Sequence, residues 1–154
     1  MNNNNTYKNF ELFADVFAYP NEELREKTKQ VENILKIFYP EAAKEFIPFA
    51  NFSKSIDLYA WEEVYTRSFD VQALTTLDLG YVLFGDDYKR GELLVNLSKE
   101  HNKVNNLCHN ELADHLQNVL KLLGKLEDED LIADIITLIL QPALTKIAGE
   151  FETK

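Results

Sequence analysis

Cysteine occurs once, as Cys108, so the chain cannot close a disulfide on itself. Glycine and proline are scarce, at five and four residues, which leaves little turn punctuation for a sheet-rich fold. Strict apolar/polar alternation, the mark of half-buried strands, is nowhere sustained. Long apolar runs are missing too. Leu131 to Leu140 is interrupted by Asp134 and followed by Gln141-Pro142, short of the roughly 20 residues of a membrane-crossing helix. Met1 to Thr6 is an asparagine-rich stretch without the basic-then-apolar layout of a signal peptide. Positive charge is in deficit: 16 Lys and Arg stand against 26 Asp and Glu, for a net charge of -10. That balance disfavours nucleic acid and anionic membrane surfaces as partners. Together these absences lead us to expect a reduced, soluble, cytoplasmic protein. No Gly-x-Ser-x-Gly elbow, Walker phosphate loop or Rossmann glycine pattern occurs, so the familiar catalytic loops are absent.

A hydrophobic fraction of 45% in 154 residues is enough for a sizeable core. The expectation is one domain over residues 1–154, with 1–6 a flexible tail. Apolar residues recur at helical spacing, and about eight helices follow in a compact all-α bundle. Thr6 can cap the first, whose Phe10, Phe13, Val16 and Phe17 share a face. The second runs from about Glu22 to Phe38, after Tyr19-Pro20-Asn21. The third starts near Glu41, and Pro48 should kink or shorten it. Ser55 or Asp57 opens the fourth, which carries Trp61 and Tyr65 and fades at Ser68-Phe69-Asp70. The fifth spans Ala73 to Phe84, with Gly80 letting a neighbour approach. Asp86 or Asp87 caps a sixth helix to about Lys103. The seventh begins at Glu111 or Leu112 and stops at Gly124. The eighth covers Leu131 to Leu140 behind Asp128-Glu129-Asp130, and Pro142 opens a final turn or two.

Two polar knots interrupt this pattern. The first is Leu83-Phe84-Gly85-Asp86-Asp87-Tyr88-Lys89-Arg90-Gly91. Gly85 suits a helix stop and the two aspartates a helix start, with Arg90 spaced to pair with either of them. Gly91 costs about 1 kcal/mol relative to Ala within a helix, so a close approach by a neighbour or a ligand is expected there. The second knot, Glu111-Leu112-Ala113-Asp114-His115-Leu116, reads as an acidic helix start with a titratable imidazole. Cys108, His109, Glu111, Asp114 and His115 match no standard metal-ligand spacing, and no metal is expected. The aspartates with Glu111 and Asp114 can be drawn as an acid/base pair, but acidic helix starts explain them more simply. Aromatics crowd residues 46–69, where Phe49, Phe52, Tyr59 and Phe69 are candidates to line a groove for an apolar peptide.

Three stretches in order resemble the NarJ/TorD family of molybdoenzyme assembly chaperones, most closely its NarJ branch, the delta subunit of nitrate reductase. They are Tyr65-Thr66-Arg67-Ser68-Phe69-Asp70, the central knot, and Glu111 to Leu116. Ala113 and Gln117 stand where the family pattern has prolines. The resemblance implies an all-helical, non-catalytic, cofactor-free protein, monomeric or dimeric. It would bind the N-terminal or signal segment of the catalytic subunit of a DMSO-reductase-family molybdoenzyme. It would assist insertion of the molybdenum cofactor and then leave. By the same resemblance, Tyr65, Phe69 and Asp70 would support one side of the peptide surface, and Tyr81 and Phe84 would belong to it. Asp86, Asp87 and Arg90 would form its central turn, allowed by Gly85 and Gly91, with Glu111, Asp114 and His115 facing it. The alternative is a generic helical interaction module with a non-redox partner.

Overall fold

Helix starts in this chain follow the side chains that can cap them. In the computed structural model, which describes residues 7–152, α1 spans Asn9–Val16. Thr6, its expected cap, lies outside the described residues. Asn21 caps α2 (Glu22–Phe38) by accepting the Leu24 amide at 2.8 Å, and Glu22 and Glu23 face the positive end of the helix dipole. α3 (Pro40–Ser55) opens on a proline, whose missing N–H costs nothing there. It then runs straight through Pro48. The helix was expected to shorten at that point, but Pro48 removes only the hydrogen bond to the Lys44 carbonyl, and both residues lie on an exposed face where water replaces it.

Asp57 caps α4 (Leu58–Phe69), and Asp87 caps α6 (Tyr88–Lys103) by accepting the Lys89 amide at 2.9 Å. Between them α5 is a short helix, Leu79–Phe84. α7 covers Leu116–Lys125. Asp128 caps α8 (Glu129–Ile135), accepting from the amides of Asp130 and Leu131. A π-helical turn, Ile136–Leu140, joins α8 to α9 (Gln141–Glu152) without a break. The expected short closing turn is therefore three turns long. The wide π turn just before Pro142 accommodates a residue with no amide hydrogen to donate. Counting α8 to α9 as one rod, the described residues form eight helices and no strand, an all-α fold.

The rod Glu129–Glu152 is also long and apolar enough, by length and composition, to cross a membrane. The sequence expectation took Gln141-Pro142 as a break and so missed it. Its Ile132, Ile135, Leu140, Ala143 and Ile147 are buried in the main core. That core is centred on α7, where Leu116, Val119, Leu120, Leu122 and Leu123 are all buried. Leu77, Leu79, Leu97 and Ala14 pack into the same cluster. A second, smaller cluster joins α2 to α3 through Val31, Leu35 and Ala43, with Leu12, Phe13, Val16 and Phe46 packed against it.

An acidic pocket beside an aromatic cleft

The link between α4 and α5 is not helical, although helical spacing extends α5 back to Ala73. After α4 the chain folds over its end, and the Leu74 and Thr75 amides bond the Arg67 and Ser68 carbonyls at 3.1 Å each. Residues 77–79 then lie antiparallel to residues 114–116. The Leu79 amide donates to the Asp114 carbonyl at 3.0 Å, and the Leu116 amide to the Leu77 carbonyl at 2.8 Å. Asp78 and His115 form an isolated antiparallel bridge at this crossing. The same pairing delays the seventh helix, which starts at Leu116 instead of Glu111 or Leu112. Backbone groups that would have continued each helix bond across the crossing instead. Glu111, Asp114 and His115 are therefore loop and cap residues, not one helical turn.

Asp114 is completely buried. Its Oδ2 accepts from the Gly80 amide and from Arg90 Nε, both at 3.0 Å, and Oδ1 receives Arg90 Nη2 at 3.4 Å. Arg90 Nη2 also lies 3.6 Å from Asp78 Oδ2, and the guanidinium sits over the Tyr81 ring at 5.4 Å. Spacing offered Arg90 to Asp86 or Asp87, but its close partners are Asp114 and Asp78. A buried carboxylate needs a paired cation far more than an exposed one does. The hydrogen bond and charge of Asp114 raise the Arg90 pKa.

The close approach expected at Gly91 is absent: a Cβ there meets nothing within 4 Å. Gly85 has the same open surroundings, but its φ of +60° is a backbone conformation that glycine favours. The close approach occurs at Gly80, where a Cβ would stand 2.6 Å from Asp114 Oδ2. Gly80→Ala should therefore push Asp114 off its amide and cost about 1–3 kcal/mol by chemical denaturation. Gly91→Ala should be neutral or slightly stabilising in the same assay.

His115 caps α7. Its Nδ1 accepts the Gln117 amide at 3.2 Å, which leaves the ring proton on Nε2, 3.9 Å from Glu111 Oε2. Asp78, Glu111 and His115 present donor atoms within 4.8 Å of one another. The cap nevertheless occupies the lone pair of Nδ1 and protonates Nε2, so neither nitrogen is free for a metal while α7 is capped this way. The trio is better suited to hydrogen-bonding a cationic group. It lies in a cavity of about 380 Å³ that Tyr19, Tyr65, Phe69 and Asp70 also line. Burial and the negative charge of Asp114 push the Asp78 carboxyl up from its ordinary pKa, while His115 and Arg90 moderate the rise. Burial and the nearby carboxylates push the Tyr65 hydroxyl up to about 12. It remains a neutral donor, placed 3.3 Å from the Phe17 carbonyl.

Tyr65 and Phe69 are also one wall of a second cavity of about 390 Å³, which is largely apolar. Val16, packed against the small core cluster, and Phe17, packed against the main one, form another wall, and Phe46, Phe49 and Phe52 of α3 and Trp61 of α4 complete it. The rings touch edge to face: Phe46 to Phe49 at 5.6 Å, Phe52 to Trp61 at 6.2 Å, Tyr65 to Phe69 at 5.3 Å. Glu45 is the one charged residue lining it. Of the four groove aromatics expected from sequence, Phe49, Phe52 and Phe69 are here. Tyr59 is not; it is 77% exposed and faces solvent.

Five of the expected site residues, Tyr65, Phe69, Asp70, Glu111 and His115, thus line one pocket. Asp114 and Arg90 brace it from behind, and Tyr81 covers Arg90. Phe84, Asp86 and Asp87 line neither cavity. Sequence reasoning missed Asp78, which helical spacing had placed inside α5, and it counted Val16 and Phe17 only as core.

No family model and no curated protein matches the chain. Among solved structures it is similar to that of a candidate redox enzyme maturation protein from Archaeoglobus fulgidus. The two superpose with a TM-score of 0.64 at 19% identity, over 97% of this chain and 84% of the other. They share a fold.

Proposed function

We propose that this protein is a cytoplasmic maturation chaperone for a redox enzyme. It holds a client segment that is basic at one end and apolar at the other. The observation that carries this reading is the shared wall of Tyr65 and Phe69. On one side lies a pocket with four acidic or imidazole groups, and on the other an aromatic cleft. A peptide with an arginine beside an apolar run can occupy both at once, its guanidinium against Asp70, Asp78 and Glu111 and its apolar side chains against Phe49, Phe52 and Trp61. The resemblance to the NarJ/TorD family and the fold shared with the archaeal protein support the finer assignment. On that assignment the client is the catalytic subunit of a DMSO-reductase-family molybdoenzyme, bound through its N-terminal segment before the molybdenum cofactor is inserted. Neither Tyr65, which stays protonated, nor the Cys108 thiol outside the pocket, whose pKa burial raises, is an activated nucleophile.

Calorimetry with synthetic N-termini of molybdoenzyme catalytic subunits encoded beside this gene tests the reading. We expect a Kd in the micromolar range or tighter, weakened by added salt because the ionic contacts are partly exposed. Affinity should fall on acidification from above the ordinary aspartate range, since the raised pKa of Asp78 means it loses its charge early. Asp78→Asn should remove that part of the pH dependence. No binding by any such peptide overturns the proposal.

A further inference from the structure

Arg25 belongs to α2, a helix that contributes nothing to the lining of the aromatic cleft. Its side chain nevertheless reaches the corner where α3 turns into α4. Nη1 donates to the Ser53 carbonyl, and Nη2 donates to the Ile56 carbonyl at 2.7 Å. Carbonyls in the last turn of a helix have no partner within the helix, and Arg25 supplies donors to two at this end. Nε pairs with Glu22 at 3.0 Å, which holds the plane of the fork. The guanidinium carbon lies 5.5 Å from the centre of the Trp61 ring.

This corner connects two walls of the cleft. Phe52 lies just before it on α3 and Trp61 just after it on α4, with their rings 6.2 Å apart. Ser53 is buried, and its hydroxyl bonds the Ala50 carbonyl at 2.7 Å. A second tie runs alongside, from Lys54 to the buried Glu32 at 2.9 Å, and Lys36 meets the same carboxylate at 2.8 Å. These two lysines hold the Glu32 pKa below its ordinary value. The lysine tie anchors α3 to α2, whereas Arg25 reaches from α2 to both the corner and the indole.

We infer that Arg25 is a positioning residue for the apolar half of the client site: its fork on Ser53 and Ile56 and its cation–π contact with Trp61 hold two walls of the cleft in place. The inference rests on the proposed function for its biological meaning, but not for its geometry. Lysine cannot substitute, because one compact ammonium cannot reproduce a planar fork that reaches two carbonyls and the face of a ring at once.

Trp61 is the only tryptophan, so its fluorescence reports on this wall alone. The test compares wild type with Arg25→Lys and Arg25→Met in the full chain. One readout is acrylamide quenching of Trp61. The other is the Kd of two peptides that begin with the same two arginines, followed in one by an apolar run and in the other by serines. Arg25→Lys should at least double the quenching constant. It should raise the Kd of the apolar peptide about tenfold and leave that of the serine peptide unchanged, since the acidic pocket is built by other residues. A merely structural role would weaken both peptides together, and that result, or unchanged quenching, overturns the inference. If Arg25→Met does not fold, Arg25→Lys, which keeps the charge and the stem, carries the comparison. If wild type binds neither peptide, the chaperone proposal fails, and the quenching of Arg25→Lys still decides the role of Arg25.

Discussion

Asp114→Ala should lower the unfolding free energy by about 3–5 kcal/mol, the largest loss of any single substitution around the site. In a chain of this size that moves the melting temperature down by about 10 °C or more. The magnitude follows from what the carboxylate leaves behind. Its removal orphans the Gly80 amide and leaves Arg90, whose side chain is only 18% exposed, without its main counter-charge. Asp114→Asn keeps an acceptor for Gly80 and should lose less. Pairing Asp114→Ala with Arg90→Met removes both charges and should recover much of the deficit, since the cost lies in a buried unpaired ion. Calorimetric melts of the four proteins provide the check. A loss below about 1 kcal/mol for Asp114→Ala would mean that the network is surface-like and weak.

Phe49→Ala should have the largest effect on client binding. Phe49 lies within the ring cluster of the cleft, 5.6 Å from Phe46, 6.2 Å from Phe52 and 6.3 Å from Trp61. Central aromatic residues in such clusters cost 2 kcal/mol or more when truncated, so the Kd of a basic-then-apolar peptide should rise about thirtyfold. Some stability will be lost as well, about 0.5–1.5 kcal/mol for each ring contact. Melting curves must therefore show that the variant is folded at the titration temperature. Tyr59→Ala is the matched control, because that ring faces solvent and should leave the affinity unchanged. A Kd for Phe49→Ala within threefold of wild type would place the apolar part of the client elsewhere.

Much of the architecture was legible before the structure. The start of α2 follows from Asn21, and that of α6 from the Asp86-Asp87 pair to within one residue, because capping is decided within one turn by residues next to each other. The crowding of aromatics along residues 46–69 pointed to Phe49, Phe52 and Phe69, which line the cleft, but also to Tyr59, which does not. The starts of α5 and α7 were not. Their apolar periodicity continues through Leu74, Leu77 and Leu112, but the backbone at 77–79 satisfies itself on 114–116, and no local pattern announces a pairing so far along the chain. Asp78 was hidden by the same crossing.

The central turn shows where the division falls. Sequence by itself determined an all-helical class, a helix stop at Gly85 and a capped start at Asp86 or Asp87, since these depend on local conformational and capping energies. Only the tertiary structure decided that Arg90 answers Asp114, 24 residues away, and not the aspartates beside it. It also decided that of the two close approaches expected from sequence, the one at Gly80 occurs and the one at Gly91 does not. The physical reason is desolvation. An exposed aspartate can share its charge with water, whereas one that packing has buried must find a cation wherever the fold supplies it.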